Sequence, residues 1–119
     1  MSPARLQRAD PAELAAALER REPADQRLLT KHFLAVLAER APGASVEVRV
    51  PPYAAVQVVA GVRHTRGTPP AVVETDPATW LELATGALGW AEAVAAGRVR
   101  PSGERTDLSS YLPLLEESP

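Results

Sequence analysis

The apolar positions of this chain change period in a definite order, from helical to alternating and back to helical. Asp10, Pro11 and Glu13 supply an N-cap, a first-turn proline and a capping-box acid, and Leu14 and Leu18 then repeat at helical spacing. This predicts a first helix running to about Arg21, with Pro23 interrupting it. Leu29, Phe33, Val36 and Leu37 mark one face of a second helix that stops near Pro42 and Gly43. From Ser45 the pattern alternates, with Val46, Val48 and Val50 on one face and Glu47 and Arg49 on the other, the signature of a half-buried strand.

Pro51 and Pro52 break that strand. A second one is expected from Tyr53 to Val62, with Val56, Val58, Ala60 and Val62 inward, paired antiparallel with the first. A polar stretch from Arg63 to Pro70 leads to a short third strand, Ala71 to Thr75. Asp76 and Pro77 repeat the earlier helix-entry chemistry and open a helix on which Trp80, Leu81, Ala84 and Leu88 share a broad face, punctuated by Gly86 and Gly89. A short helix from Trp90 to Ala96 stops at Gly97. Arg98, Val99 and Arg100 then read as a fourth strand with only Val99 pointing inward. After the Pro101 to Gly103 turn, Asp107 is placed to cap a last helical segment carrying Leu108, Tyr111 and Leu112, which Pro113 ends. The order of elements gives an α+β class in one domain over residues 1–119, with residues 1–9 and 116–119 expected to be flexible tails.

Composition narrows the function more than the fold. The 119 residues are 45% hydrophobic and 24% charged, values of an ordinary globular chain, and no apolar run approaches the roughly 20 residues that span a bilayer. Integral membrane association is therefore not expected. Met1 to Asp10 carries Arg5 and Arg8 without a following apolar region, which reads as a cytoplasmic chain and not a secreted one. There is no cysteine, so disulfides, thiolate chemistry and cysteine-held metals are excluded. His32 and His64 are the only histidines, far apart and without carboxylates at ligand spacing, so no metal or other cofactor is expected. Nearly all basic residues are arginine, while isoleucine and asparagine are absent, a bias that follows GC-rich coding. Arginine richness thus says little about nucleic acid, and a net charge of −2 argues against it.

Catalytic signatures with a clear mechanism are missing: no phosphate-cradling glycine loop, no nucleophile elbow, no His-Glu-x-x-His helix. The strongest polar cluster is Arg63, His64, Arg66, Glu74 and Asp76, which two flanking strands can bring to one end of the sheet. There His64 could move a proton while Arg63 or Arg66 holds an anion; the plainer reading is a solvated loop with Asp76 as a helix cap. Glu104 and Asp107 form a second carboxylate pair, which turn and cap roles explain more simply. His32, next to Phe33, reads as a partly buried, hydrogen-bonded histidine. The few aromatics, Phe33, Tyr53, Trp80, Trp90 and Tyr111, could line a cavity or fill a core, and composition does not choose.

One stretch carries a family likeness. It begins with the polar loop His64-Thr65-Arg66-Gly67-Thr68-Pro69-Pro70 and continues through Glu74-Thr75-Asp76 to Trp80 and Gly86. Ala95-Ala96-Gly97-Arg98-Val99-Arg100 and Ser102-Gly103-Glu104 complete it. This order resembles the small bacterial branch of the sterol-carrier-like family over about Arg63 to Leu115, and the likeness does not extend to the first twenty or so residues. The resemblance implies a twisted, mainly antiparallel sheet of about four to five strands with helices on one face, able to enclose or open an apolar cavity between them. It implies a noncatalytic carrier for a hydrophobic small molecule or lipid, with Phe33, Leu37, Val58, Val73, Trp80, Leu83, Leu88 and Leu112 as the positions facing the cavity. Two other functions stand beside it. One is a protein-interaction or homodimer module using the sheet face or the loop from Arg63 to Pro70, and the other is an enzyme built on His64, Arg66 and Glu74.

Overall fold

The computed structural model describes residues 6–61 and 71–115. Helix α1, Pro11–Arg20, begins where the sequence predicts: the Asp10 carboxylate accepts the amides of Ala12 and Glu13, and Arg21 closes the helix in the left-handed conformation. A 3-10 turn, Pro23–Asp25, feeds directly into helix α2, Gln26–Arg40. Asp25 organises this corner. Its two oxygens take Arg20 in a paired contact of 2.8 and 3.3 Å, and one of them also accepts the Glu22 amide. These bonds hold the Asp25 carboxyl below the usual carboxylate range, the Arg20 hydrogen bond first, over the opposing effect of desolvation. A carboxyl with a folded pKa below its unfolded value stabilises the fold at pH above about 3.9, and that contribution disappears as pH falls through the folded value. Asp25→Asn should therefore flatten the acid limb of a melting-temperature profile between about pH 5 and pH 2. An unchanged limb in differential scanning calorimetry would show that the pair is thermodynamically silent.

The sheet contains β1, Val46–Val50; β2, Ala54–Val58; β3, Ala71–Thr75; and β4, Val99–Ser102, in spatial order β2-β1-β3-β4. The β1–β2 and β3–β4 pairs are antiparallel, but the central β1–β3 pair is parallel. The sheet is thus mixed and has four strands, a correction to the mainly antiparallel sheet of up to five that the resemblance implies. After the hairpin through the Pro51–Pro52 turn, the chain returns to the opposite edge of β1. Parallel neighbours need a connection of roughly a dozen residues or more, and the stretch leaving β2 supplies it.

Strand β2 also ends earlier than the alternation through Ala60 and Val62 suggests; Val62 itself lies outside the described residues. The cause is Val59, a β-branched residue held at φ 67°. Its amide donates to the Ala41 carbonyl at 2.7 Å, and its own carbonyl accepts the Ser45 amide and the Ser45 hydroxyl at 3.0 and 2.7 Å. Gly43 lies against this backbone so closely that a Cβ there would sit 2.2 Å from the Val59 carbonyl oxygen. The bonds around Val59 hold it in a conformation its branched side chain disfavours, and the sheet alternation stops there.

The remaining elements are α3, Pro77–Thr85, and α4, Trp90–Ala95. Asp76 caps α3 through the Thr79 amide at 3.1 Å and the Thr79 hydroxyl at 2.6 Å, and Gly86 ends the helix at φ 85°. The predicted last helix is only a single 3-10 turn, Ser109–Tyr111. Asp107 does accept the Ser109 amide at 2.9 Å, but Pro113 leaves no room for another turn.

One face of the sheet meets the helices. Val46, Val48, Val50, Val58, Val73 and Val99 point into it, against Leu29, Phe33, Leu34 and Leu37 of α2 and Trp80, Leu83 and Ala84 of α3. Helix α1 lies outside, against α2, so α2 is buried well beyond the single face its apolar spacing predicts, Thr30, His32 and Ala35 included. The other sheet face is polar. Arg49, Glu74 and Arg100 stand in one cross-strand row, with Glu74 and Arg100 paired at 2.7 Å and Arg49 paired with Glu47.

Candidate functional site

Of the eight positions proposed to face an apolar cavity, six sit in the layer between sheet and helices. Phe33 and Leu37 are one turn apart on α2, Trp80 and Leu83 are on α3, Val58 ends β2 and Val73 is central in β3; all six are buried members of one apolar cluster. Leu88, in the α3–α4 connection, and Leu112, just beyond the last 3-10 turn, are half-buried at its rim. The C-terminal segment forms one edge of this rim. The Leu114 amide donates to the Ala84 carbonyl at 2.7 Å, and Arg40 donates to the Tyr111 and Pro113 carbonyls, binding the segment across the ends of α2 and α3.

The layer holds polar atoms that apolar spacing does not announce. The Trp80 indole Nε1 donates to the Thr30 carbonyl at 3.3 Å, tying α3 to α2. Thr30 is fully buried, and its hydroxyl has no hydrogen-bond partner among the described residues. Native interiors leave few such groups unpartnered. A signal was present in the sequence, since Thr30 lies one turn before Leu34 and so shares its buried side.

The catalytic alternative finds a different arrangement. Glu74 is on the outer sheet face, engaged with Arg100, while Arg63, His64 and Arg66 lie outside the described residues. Burial raises the Asp76 carboxyl, but the Thr79 hydrogen bonds and the nearby Arg98 outweigh it, leaving the group below the usual range as an ionised cap. Asp107 is likewise held low by Ser109, and Glu104 is exposed. Arg98 is engaged with Thr79 and Glu82, and the Thr75 hydroxyl donates to its carbonyl, so this group secures the α3–β4 edge. His32 is buried: its Nδ1 accepts the Ala9 amide at 2.9 Å and its ring meets Phe33 edge to face at 5.1 Å. The Arg8–Glu39 ion pair adds a second tie between α2 and the segment before α1. No described helix is long and apolar enough to cross a membrane.

No curated protein matches this chain. A family model described as "Bacterial SCP ortholog" matches residues 20–114, which takes in everything from the end of α1 through the C-terminal segment. With a one-sided helical cover over a four-stranded mixed sheet and a matched span that includes every strand, the chain belongs to this sterol-carrier-like family.

Proposed function

We propose that this chain is a noncatalytic carrier for a hydrophobic small molecule or lipid, held between the sheet and helices α2 and α3. The observation that carries this reading is the family match over residues 20–114. The apolar layer that would receive the ligand is already assembled on one side of the sheet, with Leu88 and Leu112 at its rim. Because Phe33, Leu37, Trp80 and Leu83 pack in one cluster, an entering ligand has to part them and replace their mutual contacts with its own. Its affinity comes from burial, at about 25 cal/mol for each Å2 of apolar surface removed from water. The unpartnered Thr30 hydroxyl offers such a ligand one polar contact inside the layer.

Displacement of a fluorescent fatty-acid probe tests this. Saturable binding is expected, with a change in Trp80 emission, and Thr30→Val is expected to weaken an alkanol competitor by about fivefold while leaving an alkane unchanged. Absence of displacement across fatty acids, alkanols, sterols and phospholipids would sink the carrier reading.

A further inference from the structure

Outside the sheet–helix layer, an open groove of about 360 Å3 runs between the segment before α1, α1 itself and the first half of α2. That volume is at the lower end for small-molecule sites. Ala9, Ala24 and Leu28 form its apolar lining, and Arg27 and Lys31 also line it. These two cations are spaced i and i+4 on α2, so both side chains emerge on the same side of the helix.

Every other described basic side chain is already engaged. Arg8, Arg20, Arg49, Arg98 and Arg100 are paired with carboxylates, and Arg21, Arg40 and Arg105 donate to backbone carbonyls. Among the described residues, Arg27 and Lys31 alone of the arginines and lysines make no hydrogen bond or ion pair. The groove has one carboxylate, Glu13, so its formal charge from these three groups is +1 (two cations less one anion), which suits a monoanion better than a phosphate dianion. Residues 7–13, which build one wall, precede the stretch the family model matches.

We propose that this groove binds a small amphiphile bearing one carboxylate, with Arg27 and Lys31 holding the carboxylate and Ala9, Ala24 and Leu28 covering the start of its alkyl chain. Arg27 can present two parallel donors to the carboxylate, and Lys31 supplies a point charge beside it. The site is separate from the layer between sheet and helices, and the proposal stands or falls independently of the carrier reading.

Decanoate, decanol and acetate, titrated separately and followed by backbone amide NMR, decide it. Decanoate is expected to shift the Ala9, Lys31 and Leu28 amides in a saturable way, with acetate weaker by about tenfold or more for want of apolar contact. Arg27→Gln at an exposed position and Lys31→Gln at a half-buried one should each weaken decanoate about tenfold, while Arg100→Gln on the outer sheet face leaves it unchanged. Decanoate binding that survives the Arg27→Gln/Lys31→Gln double variant overturns the proposal. So do shifts confined to β1, β3 and α3, or no shift at all. Decanol binding to the sheet–helix layer with an empty groove would overturn this site and leave the carrier reading intact.

Discussion

Trp80→Ala is expected to lower the free energy of unfolding by about 3–5 kcal/mol, enough to remove much of the stability of a domain whose total is about 5–15 kcal/mol. Trp80 is 1% exposed and is the largest of the fully buried side chains, wedged between α3 and α2 with its indole bonded to the Thr30 carbonyl. Its removal deletes the apolar transfer energy, the dispersion contacts with both helices and the one side-chain hydrogen bond joining them. One effect works the other way. The cavity would open the Thr30 carbonyl, which accepts the indole N–H, to an entering water that restores its hydrogen bond, so the loss should fall toward the lower end of that range. Urea denaturation followed by circular dichroism measures it; a loss below about 1 kcal/mol would mean that α3 is not anchored through Trp80.

The second large effect is expected at Gly43. Gly43→Ala should cost about 3 kcal/mol or more, because it combines a backbone at φ 148° with a Cβ that would lie 2.2 Å from a carbonyl oxygen. That oxygen belongs to Val59, which cannot retreat without loosening its bonds to Ser45 and Ala41. Gly97→Ala separates the two causes. Gly97 also has positive φ, 72°, but a Cβ there meets nothing within 4 Å, so only the conformational cost of about 1–2 kcal/mol remains. Thermal unfolding of the two variants side by side is the check, and equal losses would show that backbone strain alone, and not the close approach to Val59, limits position 43.

Local chemistry was legible wherever a side chain acts on its own neighbours. Asp10 and Asp76 announce α1 and α3 because an N-cap bonds to amides two or three residues away. Val46, Val48 and Val50 identify their inward face because strand side chains alternate whatever the strand pairs with. Arg98 to Arg100 marks β4 by its one buried residue, Val99, but the strand starts at Val99, leaving Arg98 outside it, and extends on to Ser102. The last helix failed as a prediction because Leu108, Tyr111 and Leu112 satisfy helical spacing while the cap to Ser109 and the proline at 113 permit only one 3-10 turn.

What the sequence could not contain was set by contacts between distant residues. Alternation shows which way Val73 points but not that β3 lies beside β1 and runs parallel to it, since pairing and direction depend on backbone bonds formed across the sheet. Neither could spacing show that β2 stops at Val58, because the bonds that hold Val59 come from Ala41 and Ser45. The candidate cavity residues illustrate both sides. Leu37 and Phe33 are recognisable as a helix face and Thr30 shares the buried side of Leu34, yet the bond from the Trp80 indole to the Thr30 carbonyl appears only when α3 packs on α2. The element order, the caps and the inward faces of the strands thus follow from interactions within a few residues and are readable from the chain alone. The mixed sheet, the burial of α2 from Leu29 to Leu37 except Lys31, and the engagement of every described arginine but Arg27 arise only in the packed chain, because they depend on which segments meet.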